Sequence, residues 1–177
     1  MTLPMDRHLM SAESATTLLA VLGDHGVDPC VGGGWAVDAL LRTQTREHSD
    51  LDLWVPATDV EPLFVAFTSI GLDRVFPWPG DRPWNFVLHD GGTLRVDLHF
   101  YEVLADGGWH YGGAAGGERF PAVALDGRGV IGGVGVRCDA PGWSIRWHTG
   151  YDPRSVDRHD VPLLCDRFGI ALPEEYR

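Results

Sequence analysis

The sequence predicts an α/β (α+β) protein, and three stretches carry the prediction. HSDLDLWV, residues 48–55, alternates Leu51, Leu53 and Val55 with Asp50 and Asp52, the two-residue period of a strand with one face in a core. WNFVLHDGGTLRVDLHFY, residues 84–101, reads as two strands joined by a turn at Asp90, Gly91 and Gly92. Ala15, Leu18, Leu19 and Leu22 recur at helical spacing behind Ser11, a good capping residue.

The remaining elements follow in chain order. Glu13 belongs to the first turn of the opening helix, and Gly23 and Gly26 end it. A short apolar piece at Cys30 and Val31 runs into GGGWAVDALL, residues 32–41, whose glycines form a turn before a short helix from Trp35 to Leu41. TDVE, residues 58–61, has the capping-box pattern, with Val60, Leu63, Phe64 and Phe67 as the helical stripe behind it. PWPGDRP, residues 77–83, is a loop. In the second strand of the pair, Leu94, Val96, Leu98 and Phe100 face one way and Arg95, Asp97 and His99 the other. Residues 104–135 are glycine-rich and without a repeat period; they read as irregular structure with short strands and loops. Two helices are expected around WSIRWHTGY and VDRHDVPLLCDRF.

Bulk properties exclude several classes. With 44% hydrophobic and 22% charged residues over 177 positions, the chain reads as an ordinary soluble protein. No stretch approaches the ~20 apolar residues of a membrane span, and the N-terminus has no apolar leader core. Three scattered cysteines, Cys30, Cys138 and Cys165, suggest buried thiols in a reducing cytoplasm. All 14 basic residues are arginine and the net charge is −11, a poor match to nucleic acid. That balance suits a cationic small molecule or a metal, or simply solubility. No C-x-x-C or H-E-x-x-H spacing supports a structural zinc site.

Two aspartates side by side on a strand repel one another. Asp97 stands on the polar side of another strand, and if the two strands are neighbours, Asp50, Asp52 and Asp97 converge. Three carboxylates together call for positive charge, and Mg2+, which takes oxygen ligands and leaves positions for substrate phosphates, supplies it. Solvated aspartates on an open sheet face are the alternative. VGGGW before a short helix offers backbone N–H groups to a phosphate. It is neither a Walker A motif nor a dinucleotide fingerprint.

Together these motifs resemble a known family. VGGGWAVD, then REHSDLDL, then RVDLHF, is similar to the nucleotidyltransferase superfamily that includes DNA polymerase beta, and within it to the small antibiotic nucleotidyltransferases. The GGW–D…R-x-H-x-D-x-D pattern resembles the aminoglycoside 2''-nucleotidyltransferase type. HTGYDPRSVDRHDV, residues 148–161, resembles the short-type lincosamide nucleotidyltransferase.

The resemblance implies a polymerase-beta-like fold: a mixed sheet flanked by helices, with a small C-terminal helical portion. Residues 1–104 would form the nucleotidyltransferase core and 105–177 would complete the acceptor pocket. Gly33 and Gly34 would hold triphosphate, Asp50 and Asp52 would bind Mg2+, and Asp97 would be a third metal ligand or the base. The expected reaction moves a nucleoside monophosphate, AMP from ATP, onto a hydroxyl of a small antibiotic and releases pyrophosphate. A lincosamide is the first expectation and an aminoglycoside the second. A nucleotide-binding relative without transfer activity is the rival from another class, and a homodimer is left open.

Other side chains have two readings each. Arg46 and Arg42 could reach phosphates or pair with acids. His48 could orient Asp50, contact nucleotide or make a structural hydrogen bond. Asp38 would support the glycine turn, and Trp35 would pack beneath it. His99 is a candidate partner behind the carboxylates or an acceptor contact. His148, Tyr151, Asp157, His159 and Asp160 could face the acceptor or merely cap helices. Trp78, Trp84, Trp109 and Tyr111 could line a cleft, at least two of them being ordinary core.

Overall fold

The computed structural model describes residues 9–76, 81–113 and 115–177. Its helices and strands alternate up to residue 76, strands then dominate to residue 138, and two helices follow, around one mixed sheet. Helix α1 (Ala12–Asp24) starts where Ser11 accepts the Ser14 N–H, and buries Ala15, Leu18 and Leu22 as the stripe requires. Gly23 lies within its last turn, and it is Gly26, at φ +76°, that redirects the chain. β1 (Cys30–Val31) leads directly to α2 (Gly33–Leu41), so two of the three glycines form the helix's first turn rather than a separate turn.

β2 (Leu51–Pro56) begins one residue after Asp50, placing Asp52 in the strand and Asp50 just before it. α3 (Val60–Ser69) follows a 3-10 turn at Ala57–Asp59. The capping box does not form: Asp59 makes no side-chain cap, and Thr58 donates to Asp59 instead. Residues 58 and 59 are already wound into the preceding turn, so Thr58 is not free to cap. β3 (Arg74–Phe76) precedes the expected loop, whose residues 77–80 lie outside the described residues. β4 (Asn85–His89) and β5 (Arg95–Val103) form the expected antiparallel pair.

The glycine-rich stretch is more regular than its sequence suggests. It holds β6 (Gly108–Tyr111), β7 (Glu118–Pro121), β8 (Gly127–Ile131) and β9 (Val134–Cys138). The sheet runs β3-β4-β5-β2-β1-β9-β8, with β6 and β7 extending from β5. β2–β5 and β1–β9 are parallel and the other pairings antiparallel, which makes it mixed. α4 (Pro141–Trp147) and α5 (Ser155–Phe168) follow, both where expected, and a 3-10 turn at Glu174–Tyr176 comes after them.

Strand alternation divides the sheet into two faces. Leu51, Leu53, Val55, Val96, Leu98 and Phe100 join the large core with α1, α2 and α3. Trp54 and Tyr101 point the other way and build a second, aromatic core with Cys30, Phe120 and Leu125. Among the described residues no helix is long and apolar enough to cross a membrane.

Candidate active site

The second face carries the acids. Asp52 and Asp97 are direct neighbours in the parallel β2–β5 register, and Trp54 and His99 are the next matched pair on the same face. One ligand atom each from Asp52, Asp97 and His99 falls within a 4.8 Å group. Asp50, at the mouth of β2, stands outside that group but close enough to be felt. Burial, then the Asp52 charge, pushes its carboxyl up to about 6. Asp97 is also pushed up to about 6, chiefly by burial; His99 opposes the rise while Asp52 and Asp50 add to it. Burial sets both shifts first; at Asp50, Arg95 and His48 oppose the rise without cancelling it. Matched carboxylates on neighbouring strands fit a divalent cation.

Hydrogen bonds hold this patch in place. Asn85 Nδ2 donates to Asp97 Oδ1 at 2.7 Å and to the Leu98 carbonyl at 3.1 Å. His99 Nε2 lies 3.5 Å from Asp52 Oδ1 and 3.8 Å from Asp97 Oδ1, while Nδ1 lies 3.0 Å from Tyr111 Oη. The Trp54 indole sits 4.8 Å from the His99 ring and stacks on Trp147 at 4.8 Å. Its edge contact with Tyr111, at 4.9 Å, completes an aromatic wall beside the acids.

The start of α2 comes down onto Asp52. A Cβ on Gly33, which has φ +56°, would lie 2.1 Å from Asp52 Oδ2. A Cβ on Gly34 would lie 2.1 Å from Arg46 Nη2 and 2.8 Å from His48 Nδ1. Only glycine permits this approach. Gly32 provides no side-chain cap, so the first N–H groups of α2 keep their capacity for an anion.

Beneath the glycines, Arg46 and His48 are held by other acids. Arg46 donates through Nε and Nη2 to Asp160 at 2.7–3.1 Å, and through Nη1 to the Glu47 carbonyl. His48 is buried, with Nε2 2.5 Å from Asp38 Oδ2 and its ring 4.2 Å from that of Trp35. Asp38 fixes the following loop, accepting from the Thr45 N–H and hydroxyl, rather than the glycine turn itself. Arg42 serves as the left-handed C-cap of α2, at φ +61°.

The other expected residues disperse. Asp157 pairs with Arg154 at the start of α5, His148 bonds the Ser144 carbonyl, and His159 meets Thr45. Trp78 lies outside the described residues. Trp84 lines a cavity of about 290 Å³ with Phe64, Phe86 and Phe100, on the opposite face from the acids. Trp109 stacks on Tyr101, leaving Tyr111 as the aromatic that reaches the site.

Four residues were not foreseen. Trp54 was findable, being two positions beyond Asp52 on one strand face. Asn85 was findable too, since a hairpin centred on Gly91 and Gly92 sets it opposite His99. Trp147 and Asp139 carry no local signal. Asp139 is 2% exposed, and its Oδ1 has no hydrogen-bond partner. Burial, then the Asp52 charge, raises its pKa well above the usual carboxylate range, against the opposing pull of the Trp54 indole N–H.

Comparison with known proteins agrees with this geometry. The family model for aminoglycoside-2''-adenylyltransferase matches residues 15–164. A 2''-aminoglycoside nucleotidyltransferase of Escherichia coli is 30% identical over 169 residues, covering 90% of this chain and 89% of the relative. A lincosamide resistance protein of Staphylococcus haemolyticus is 25% identical over 138 residues, covering 75% and 80%. The fold is shared with the lincomycin-bound lincosamide adenylyltransferase LnuA, at TM-score 0.77 and 21% identity over 92% of this chain and 99% of that one. It is shared also with ANT(2")-Ia in complex with adenylyl-2"-tobramycin, at TM-score 0.68 and 23% identity over 88% and 87%. The mixed sheet, the glycine-led helix above paired strand acids and a match over most of its length all agree: the chain is a nucleotidyltransferase, and it belongs to the aminoglycoside-2''-adenylyltransferase family.

Proposed function

We propose that the chain transfers AMP from ATP to a hydroxyl of a small antibiotic, with a lincosamide as the first acceptor, and releases pyrophosphate. The observation that carries this reading is the matched pair Asp52 and Asp97 directly below the N-terminus of α2.

The residues divide the work. Backbone N–H groups at Gly33 and Gly34 receive triphosphate oxygens, as an uncapped helix start favours. Arg46 and His48 support that turn from beneath and contribute to the triphosphate site through it. Asp50, Asp52 and Asp97 would hold Mg2+, which supplies neutralising charge for the phosphates and for the reacting phosphorus. Asp97 takes the proton from the acceptor hydroxyl as its oxygen bonds to the α phosphorus and the bond to the pyrophosphate oxygen breaks. Asn85 occupies Asp97 Oδ1 and orients the carboxylate for that transfer. Residues 1–104 supply the catalytic acids and the glycine turn; 105–177 supply the aromatic wall through Tyr111 and Trp147.

That wall favours a lincosamide, whose apolar portion an aromatic surface would receive. A second reading, an aminoglycoside acceptor, is favoured by the net charge of −11 and by the family match. The test is pyrophosphate release with ATP and Mg2+ across lincosamides, aminoglycosides and no drug, with Asp50→Ala beside the wild type and mass spectrometry of products. A drug-dependent adduct of AMP mass, absent in the variant, supports the proposal and names the acceptor class. Nucleotide binding without any adduct would overturn it.

A further inference from the structure

The acidic face contains a nitrogen donor as well as oxygens. His99 Nε2 points between Asp52 Oδ1 and Asp97 Oδ1, at 3.5 and 3.8 Å. The opposite ring nitrogen has its own partner, Tyr111 Oη at 3.0 Å. The amide of Asn85, 3.3 Å from Nδ1, is already donating to Asp97 and to the Leu98 carbonyl. In the metal-free site Nε2–H can donate toward Asp52, whose hydrogen bond raises the His99 pKa against burial. In the other tautomer Nδ1–H donates to Tyr111 and the Nε2 lone pair faces the two carboxylates. Three electron-pair donors directed at one point are repulsive without a cation.

This is the organisation of a metal site with supporting partners. A ligating imidazole commonly has its other nitrogen hydrogen-bonded, and a ligating carboxylate is itself hydrogen-bonded. Tyr111 serves His99 in that way and Asn85 serves Asp97. Magnesium prefers oxygen donors, whereas first-row transition ions accept imidazole readily.

We propose that His99 Nε2 is a direct metal ligand beside Asp52 and Asp97, making a mixed nitrogen–oxygen site that admits Mn2+ as well as Mg2+ and favours Mn2+ more than an all-carboxylate site would. The inference rests on the reading of Asp52 and Asp97 as metal carboxylates. His99 then acts as a selectivity residue, distinguishing ions that an all-carboxylate site would treat more alike.

The test reads the metal directly, with Mn2+ as the probe. Pulsed electron paramagnetic resonance of the Mn2+-loaded protein, with and without a non-hydrolysable nucleoside triphosphate, should show 14N coupling from one imidazole. Labelling histidines with 15N should alter that signal without any mutation. His99→Gln and Asp52→Asn should lose it, and calorimetry should show the ratio of Mn2+ to Mg2+ affinity falling when His99 is replaced. Tyr111→Phe, which leaves the ligand in place, should weaken Mn2+ binding by roughly 10-fold. Absence of nitrogen coupling in the wild type, or its retention in His99→Gln, overturns the proposal and leaves His99 as a hydrogen-bond partner of Asp52. Failure of nucleotide transfer with coupling intact would instead count against the transferase reading alone.

Discussion

Arg46 and Asp160 meet in a forked ion pair across 114 positions of sequence, with Asp160 only 1% exposed. The pair ties the loop after α2 to α5, and Arg46 Nη2 lies directly under Gly34. Removing the arginine would leave a buried carboxylate without its partner. Arg46→Ala should therefore destabilise the fold by about 3–5 kcal/mol. Urea denaturation of the variant beside wild type measures the loss. Asp160→Asn, which removes the charge but keeps an acceptor, should cost less, and an unchanged midpoint for Arg46→Ala would contradict the buried-pair account.

The close approach of α2 to Asp52 predicts a second effect. Gly33→Ala combines an unfavourable left-handed backbone with a contact of 2.1 Å on Asp52 Oδ2. Moving either group by about 1 Å should lower nucleotide transfer roughly 100-fold, because reacting geometry tolerates little displacement. The expected signature is a raised ATP KM together with a lowered kcat. Wild-type kinetics in this variant would mean that α2 does not position the triphosphate.

Asp97→Asn keeps the shape of the site and removes its base. The rate of transfer should fall by roughly 10²–10⁴. The thermal midpoint should be largely retained, since the amide can still accept from Asn85, while divalent-cation affinity falls with the lost carboxylate. Single-turnover product formation would measure the chemical step apart from release. A variant as fast as wild type would remove Asp97 from the proton transfer.

Asp139 provides a pH prediction. Its folded pKa is raised above the unfolded value, chiefly by burial and next by Asp52. Whatever stability the protonated form provides is full below the unfolded pKa, near 4, and is lost as pH rises through the folded value. Asp139→Asn should therefore make the protein more stable than wild type at pH 8, with the advantage shrinking toward pH 4. Thermal midpoints of both proteins across that range give the difference. A difference independent of pH would mean that Asp139 ionises as freely in the fold as in the unfolded chain.

Legibility in the sequence followed the range of the interactions. The stripe of Leu18 and Leu22 and the alternation of Val96, Leu98 and Phe100 are local patterns, and both held. The two-residue period also put Asp52 and Asp97 on polar faces, so the central pair could be anticipated. The strands between 104 and 138 were hidden because their glycines mask alternation and residues such as Gly108 to Tyr111 are half-buried on both sides. Arg46–Asp160 and Trp54–Trp147 depend on register between distant elements, which no local spacing encodes. The alternation extends through Asp50 and so predicts strand there, although ladder pairing begins only at Leu51.

The placement of β1 has a consequence for synthesis on the ribosome. Its two residues lie between β2 and β9, the latter drawn from far along the chain. A nascent chain that has delivered β5 already contains every acid assigned to the metal, yet the strand before the glycine turn still has a bare edge. The chain must wait for β9 before that edge is covered, an interval in which a chaperone or a neighbouring polypeptide can pair with it. Catalytic assembly is thus timed by the emergence of β9 rather than by the appearance of the catalytic residues.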